Sequence, residues 1–434
     1  MSAEYGFPGF LRKARRCGAL VVQPRMGFSD PVDMARGLAA VRAANAVTAG
    51  TLTLDSYTRT GQLDQARRAL EDGVALNGYP ILTHGPKLTR EILAGTVGEH
   101  FPVQVRHGSS LPYDIVRSVV DSGIAATEGG PVSYCLPYNR TPLRHAVPEW
   151  ARCCELLAER EDAHLESFGG CMLGQLCPPS LLIALSVLEG LFFAQHGVPS
   201  VSLSYAQQTH AEQDAEALAV LNRVAGELLP GLDRHVVLYT YMGVYPGSRE
   251  GALDLLGDAA ALAVCGGADR LIVKTPAEAH RIPTIAENVE ALEYAAAVAG
   301  HERARPDAPA VPADTGLYAE VRALIDAVRE LSDDVGTALV RAFEAGYLDV
   351  PYCLHPDNRG ATSSYLAEDG RLCWAATGRL PLPGRASVTV DGLTSSDLLA
   401  ALSYVARRYD RVPAPRRPIR PAMSEVSVSS RADR

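Results

Sequence analysis

Five charged residues follow short, largely apolar segments of this chain, where they could bind an anionic ligand or move a proton. Arg25 follows VVQP, Arg59 follows TLDSYT, Arg106 follows VQV, Glu128 follows AAT and Lys274 follows LIV. Each arginine carries a planar fork of donors that matches a carboxylate in two hydrogen bonds. Two or three such forks predict a dianionic ligand. No Walker loop or G-x-G-x-x-G motif is present, so a dicarboxylate is favoured over a nucleotide phosphate.

A carboxylate and two tyrosines form a second candidate group. Glu128 lies in TEGG, and Tyr134 and Tyr138 follow in SYCLPY. A carboxylate beside arginines can receive an ammonium group or act as a base, and the alternative is a structural pair with one arginine. The tyrosines can donate to a substrate carboxylate or simply pack at the surface of the fold.

Lys274 and Glu278 are spaced one helical turn apart in KTPAE. Pro276 suits the start of a helix, so both side chains can face the same space. A desolvated lysine can form a Schiff base with a carbonyl substrate, and the plainer alternative is an exposed ion pair. No H-E-x-x-H or G-x-S-x-G motif occurs, so neither a metal site nor a serine nucleophile is expected.

Short β-rich segments alternate with helical patterns along most of the chain. The candidate strands are Leu20–Pro24, Ala46–Thr53, Ile81–Thr83, Val103–Val105, Ile124–Thr127, His164–Phe168, Val201–Ser204, Val236–Tyr241 and Leu271–Val273. This alternation predicts an α/β fold, a (β/α)8 TIM barrel over residues 1–345 with one of the nine segments outside it. Residues 346–434 are predicted to form a small C-terminal appendage and tail. In such a barrel the carboxyl ends of the strands carry the site, so the charged residues above should share one mouth.

Composition and charge exclude several function classes. The net charge of −9 does not suit a nucleic-acid binder. The longest apolar stretch, Leu181–Phe193, is interrupted by Ser186 and Glu189 and is too short to span a membrane. Nine cysteines without a C-x-x-C pair fit a reduced, cytoplasmic protein.

Together these segments resemble the large subunit, the epsilon or E chain, of glutamate mutase, also called methylaspartate mutase. The matching blocks, in the family's order, are VVQPRMGF, LTLDSYTR, LNGYP, VQVRHG, TEGGPVSYCLPY, LESFG, PPS, LIVKTPAEA and DVPYC. The resemblance implies a barrel that receives adenosylcobalamin (coenzyme B12) at its mouth, shared with a separate small cobalamin-binding subunit. This chain accordingly lacks a D-x-H-x-x-G motif. The resemblance also implies a homodimer at the core of a heterotetramer.

The resemblance assigns roles to individual residues. Arg25, Arg59 and Arg106 would grip the substrate carboxylates. Glu128 would meet the substrate amino group, with Tyr134 and Tyr138 beside the substrate and Glu128 and Tyr134 as the catalytic pair. The residues matching the adenosyl pocket are Gly27, Thr53, Asn77, Pro137, Phe168, Lys274 and Glu278, with Glu278 reaching the ribose.

The implied reaction is a radical carbon-skeleton rearrangement of L-glutamate to 3-methylaspartate, or of a closely related dicarboxylic acid. Met26 stands where the family usually has glycine and Leu165 where it usually has arginine. These departures leave room for a branched or oxo dicarboxylate. The alternative function is a barrel lyase or aldolase that acts on a dicarboxylate through a Schiff base at Lys274.

Overall fold

The computed structural model describes residues 6–137, 139–172, 176–305, 313–382 and 394–411, which are built around a ring of parallel strands. The strands are β1 Val21–Pro24, β2 Gly50–Thr53, β3 Val103–Arg106, β4 Ala126–Gly129, β5 His164–Ser167, β6 Ser200–Ala206, β7 Asp233–Tyr239 and β8 Arg270–Val273. Their order is β1-β8-β7-β6-β5-β4-β3-β2, and a parallel bridge between Val22 and Thr48 closes the ring. The predicted (β/α)8 barrel is therefore confirmed.

Helices surround the ring and connect its strands. They are α1 Gly6–Arg16, α2 Pro31–Ala43, α3 Ser56–Arg59, α4 Leu63–Glu71, α5 Ile81–Leu93, α6 Tyr113–Asp121, α7 Leu143–Ala158, α8 Pro179–Gln195, α9 Ala211–Leu228, α10 Arg249–Cys265, α11 Ile285–Arg303, α12 Leu317–Arg329 and α13 Val335–Ala345. The segment outside the barrel is Ile81–Thr83, which begins α5 instead of forming a strand. Three residues are too few for periodicity to distinguish a strand from a helix.

The inside of the barrel is polar rather than apolar. Gln23 donates to Gln104 at 3.1 Å, and Arg270 donates to the same Gln104 oxygen at 3.0 Å. Arg270 also forms an ion pair with Glu166, and both side chains are fully buried. Because a buried charge must be paired, these residues fix one another across four strands of the ring.

Helix α1 closes the amino end of the barrel. The Phe7 ring stacks on His164 with centroids 5.0 Å apart, and the guanidinium of Arg270 lies 5.1 Å from the Phe7 ring centroid. Phe10 and Leu11 pack with Val21 at the start of β1. The opposite, carboxyl end of the strands is thus the end left for a site.

The C-terminal region packs on the outside of this barrel. It contains an antiparallel hairpin, β9 Thr362–Leu366 and β10 Leu372–Thr377, and two short helices, α14 Ser395–Leu402 and α15 Tyr404–Tyr409. Asp349 accepts hydrogen bonds from the backbone of Gly360, Ala361 and Thr362, which holds the hairpin in place. Within the described part of the chain, no helix has the length and apolar character needed to cross a membrane.

Candidate active site at the carboxyl ends of the strands

A buried ion pair lies at the centre of the mouth. Arg106 ends β3 and Glu128 lies in the neighbouring β4, so parallel pairing brings them side by side. Arg106 Nε donates to Glu128 Oε1 at 2.8 Å, and the two residues are 5% and 0% exposed. Burial alone would lower the pKa of Arg106, but the charge of Glu128 holds that pKa well above its ordinary value. The ion pair between Glu128 and an arginine, which the sequence analysis gave as an alternative, is therefore present, and it lies within the candidate site.

The Glu128 carboxylate receives two further donors. Tyr134 donates to Oε1, and Tyr239 on β7 donates to Oε2 at 2.8 Å. The Tyr239 hydroxyl also contacts Glu166. Donors from three directions therefore fix the orientation of Glu128. Arg106 Nη1 is buried, and no described residue accepts a hydrogen bond from it, so this donor is available to an anionic ligand.

Aromatic rings form a wall on one side of this pair. Phe168 lies 5.3 Å from Tyr134 and 5.5 Å from Tyr239, measured between ring centroids. His107 meets Tyr134 edge-on at 5.0 Å and stacks on Trp150. Burial, assisted by the nearby charge of Arg59, lowers the pKa of His107 to about 3. His107 is therefore neutral at physiological pH, and its buried Nε2 has no hydrogen-bond partner among the described residues.

Arg25, Lys274 and Glu278 form a second charged group at the same mouth. Glu278 Oε2 lies 3.4 Å from Arg25 Nη1 and 3.6 Å from Lys274 Nζ. The side chains of Lys274 and Glu278 are 7% and 16% exposed, which excludes an exposed ion pair. Glu278 lies on a 3-10 helix, Pro276–Ala279, so Pro276 does begin a helical turn as expected.

The electrostatics connect the two charged groups. Burial lowers the pKa of Lys274 to about 8; Glu278 opposes this, and the charges of Arg25 and Arg106 add to it. The charge of Arg106, in the first group, thus acts on Lys274 in the second. The Nζ atom donates to the Tyr241 carbonyl at 3.2 Å, which keeps the ammonium in place.

Arg59 does not follow a strand directly, as the sequence suggested, but ends the short helix α3. Asp55 caps this helix by accepting from Tyr57 N and Thr58 N. Arg59 Nε donates to the Leu54 carbonyl at 2.7 Å, and its charge acts on His107. The helix thus directs Arg59 toward the loop that follows β3.

The residues matched to the adenosyl pocket lie in several environments. Gly27 is so close to β2 that a Cβ atom there would lie 2.2 Å from the Thr53 carbonyl oxygen. Asn77 accepts a hydrogen bond from Ser56 N at 2.9 Å, and Pro137 is half-buried. Phe168 lies in the aromatic wall. Tyr138 falls outside the described residues.

Sequence reasoning missed several residues that the structure places beside the site. Glu166, Tyr239 and Arg270 connect Glu128 to the barrel interior, and Glu189 on α8 accepts from Val132 N and Ser133 N at 3.1 and 2.8 Å. The available signal was a charged residue inside an apolar strand, as in HLES and RLIV. Such a residue in a strand buried on both faces needs a partner.

Comparisons with known proteins place this chain in a family. The family model described as methylaspartate mutase E chain (MutE) matches residues 2–391. The glutamate mutase epsilon subunit of Yersinia enterocolitica is 32% identical over 350 residues, which cover 76% of this chain and 72% of that protein. The glutamate mutase epsilon subunit of Halobacterium salinarum is 32% identical over 374 residues, covering 82% of this chain and 76% of that protein. The chain therefore belongs to the methylaspartate mutase E chain family.

Proposed function

We propose that this chain is the catalytic, substrate-holding subunit of an adenosylcobalamin-dependent glutamate mutase, an isomerase that converts L-glutamate to 3-methylaspartate. The observation that carries the proposal is the buried Arg106–Glu128 pair with an unused guanidinium donor. An α-amino acid presents a carboxylate and an ammonium group next to each other. Arg106 fits the first and Glu128 the second. Family membership and the names of the curated relatives support the reaction.

The substrate's second carboxylate requires further cationic donors at the mouth. Arg25, in the loop after β1, and Arg59, at the end of α3, would supply them, and Arg25 Nε is buried without a hydrogen-bond partner in the described structure. In this proposal Tyr134 and Tyr239 keep Glu128 oriented toward the ammonium group. The arginines hold both ends of the molecule while its carbon skeleton is rearranged, so a fragment cannot leave.

The mouth also offers polar atoms that fit an adenosyl group. Thr53 Oγ1 and the hydroxyls of Tyr241 and Tyr245 are buried and have no partner among the residues that the structure describes. Such atoms normally find a partner, which here would be the ribose or the base. Lys274 and Glu278 lie close by, and Glu278 would bind the ribose hydroxyls. When bound, the cofactor supplies the radical chemistry, and the chain's residues position the substrate and exclude water.

A partner subunit would carry the cobalamin. Exposed apolar residues that follow β1, β3, β7 and β8 support this: Val32, in the first turn of α2, and Leu111, Val244 and Ile282, in loops, are 66%, 49%, 47% and 53% exposed. These loops surround the mouth, and apolar side chains exposed around a site favour a protein partner. We propose that the small cobalamin-binding subunit docks there, on a homodimer of this chain at the core of a heterotetramer.

Two departures from the family pattern do not reach the site. Met26 is 1% exposed and packs against Gly37 on α2. Leu165 is fully buried in β5 next to Glu166. Since Glu166 points into the barrel, its strand neighbour Leu165 points toward the helices. This supports glutamate itself over a branched or oxo dicarboxylate as the substrate.

Reconstitution tests the proposal. The purified chain is mixed with adenosylcobalamin, a small cobalamin-binding subunit and a panel of dicarboxylic amino acids, and products are separated by chromatography. We expect glutamate to be converted only when all components are present. Full turnover by the chain alone would contradict the shared-cofactor arrangement.

The low pKa of Lys274, about 8, is the observation that favours a Schiff-base lyase as the alternative. Borohydride reduction during turnover separates the two functions. Substrate trapped on Lys274, with turnover independent of adenosylcobalamin, would establish the lyase and refute the mutase. Cofactor-dependent turnover without an adduct supports the mutase.

A further inference from the structure

The C-terminal helix α15 packs on the loop that follows β7. Val405, the second residue of α15, is 1% exposed and belongs to an apolar cluster with Tyr241, Tyr245 and Leu255. Tyr241 and Tyr245 come from the loop of residues 240–248, and Leu255 comes from α10. The helix therefore covers the outer side of this loop.

Hydrogen bonds join the end of α15 to the same loop. Asp410 accepts from Gly247 N at 2.8 Å and from Ser248 N at 2.9 Å, and it also receives the Ser248 hydroxyl. Ser248 is the N-cap residue of α10. Tyr409 adds a bond to Asp258 on α10 at 2.6 Å. The end of the loop is thus held by residues that lie more than a hundred positions later in the sequence.

The inner side of this loop forms the wall around Lys274. Lys274 Nζ donates to the Tyr241 carbonyl at 3.2 Å and lies 4.5 Å from the centre of the Tyr245 ring. Tyr241 is 0% and Tyr245 7% exposed. The loop therefore lies between α15 and Lys274, and its position depends on contacts with both.

We propose that α15 is a positioning element for the Lys274 pocket, with Val405 and Asp410 as its positioning residues. By holding residues 240–248 inward, the helix shapes the pocket that, under the proposed function, accepts the adenosyl group of the cofactor. The loop contains Gly243 and Gly247, so its backbone is permissive and gains order from packing.

The consequence for Lys274 can be measured without turnover. The groups that act on its charge are Glu278, Arg25 and Arg106, and burial is the largest influence on its pKa. If the loop relaxes, water reaches the ammonium group. The pKa of Lys274 should then rise from about 8 toward its ordinary value of 10.5.

The composition of the chain makes this experiment direct, because its only lysines are Lys13, Lys87 and Lys274. Trace acetylation of the full chain over a pH series, read by mass spectrometry, gives the titration midpoint of each lysine. The variants are Val405→Asp and Asp410→Ala. The matched control is Asp334→Ala, because Asp334 caps α13, and α13 packs on α7, α8 and α12.

We expect the Lys274 midpoint to rise by at least about one unit in both variants, which lowers its unprotonated fraction at pH 8 roughly fivefold. The midpoints of Lys13 and Lys87 should stay unchanged in both variants. In Asp334→Ala the midpoint of Lys274 should also stay unchanged. A Lys274 midpoint that moves less than about 0.3 units in both variants, or equally in Asp334→Ala, overturns the proposal.

A second measurement separates this inference from the proposed function. With the small subunit present, both variants should need more adenosylcobalamin for half-maximal rate, while binding of a dicarboxylate inhibitor is unchanged. If the Lys274 midpoint shifts and coenzyme use does not, the positioning role of α15 stands. The assignment of Lys274 to the cofactor is then what fails.

Discussion

Replacement of Arg106 by lysine probes the centre of the proposed site. Arg106 uses Nε to bind Glu128 at 2.8 Å, and no described residue accepts from its Nη1. A lysine keeps the charge but has a single nitrogen, so it cannot bind Glu128 and a substrate carboxylate in the same planar arrangement. Loss of one charge-assisted contact in a buried site costs about 2–4 kcal/mol. The expected decrease in kcat/KM is therefore about 30- to 900-fold.

The assay uses the reconstituted enzyme with saturating small subunit and adenosylcobalamin, and it follows the conversion of glutamate. The matched control is Arg160→Lys. Arg160 forms a two-pronged contact with Asp162, with Nε and Nη2 each 3.0 Å from a carboxylate oxygen, but both side chains are partly exposed. Asp162 lies against Gly6 at the closed end of the barrel, far from the mouth. Arg160→Lys should stay within about twofold of the parent, since an exposed pair contributes little.

Two results would refute the reasoning. If Arg106→Lys retains kcat/KM within about threefold, the loss is well under 1 kcal/mol and Arg106 does not hold the substrate. If Arg160→Lys loses activity to the same extent, the effect reflects general destabilisation. Thermal unfolding of both variants distinguishes a local loss from a global one.

The remaining predictions concern the cofactor end, the loop after β4 and the closed end of the barrel. Glu278→Gln and Lys274→Met should weaken apparent coenzyme affinity and leave dicarboxylate binding unchanged. If Lys274→Met instead abolishes turnover while Glu278→Gln has no effect, Lys274 forms a Schiff base. Burial raises the pKa of Glu189 to about 7 from 4.5, so folding takes up protons between these values and stability falls as pH rises. In denaturant titrations from pH 5 to pH 8 the free energy of unfolding of the parent should fall by about 2–3 kcal/mol more than that of Glu189→Gln. An equal fall in both proteins would show that the pKa of Glu189 is not raised. Phe7→Ala should lower the free energy of unfolding by about 3 kcal/mol because it opens a cavity beside His164, and a loss below about 1 kcal/mol would show that α1 does not close the barrel.

The barrel could be predicted from sequence because each of its strands is a short apolar segment followed by a helical pattern. The same reasoning could not place Ile81–Thr83, which contains too few residues to show a period and lies in α5. The sequence likewise does not show that the helical region near the C-terminus is divided at Ser403 into α14 and α15. Short segments carry little local information, so the neighbours they pack against decide their form.

The site could be predicted in part. Arg106, Glu128 and Lys274 were identified because charged residues directly after apolar strands collect at one end of a parallel barrel. Their roles in catalysis and binding stay predictions. Tyr239 was missed because nothing in the local sequence separates a buried tyrosine in contact with the site from one that merely packs. Glu189 interrupts the apolar stretch Leu181–Phe193, but its partners Val132 and Ser133 lie 57 and 56 positions away, so the sequence does not show what it binds.

The sequence alone determined where strands and helices alternate and which charged residues follow the strands. Both features are encoded within a few neighbouring positions. Only the tertiary structure decided which distant residues contact one another. It placed Tyr239 on Glu128 across 111 positions of sequence and Asp410 on Gly247 across 163. Contacts between distant parts of the chain depend on how the barrel closes and how the C-terminal helix packs on it, and no local pattern of residues records that geometry.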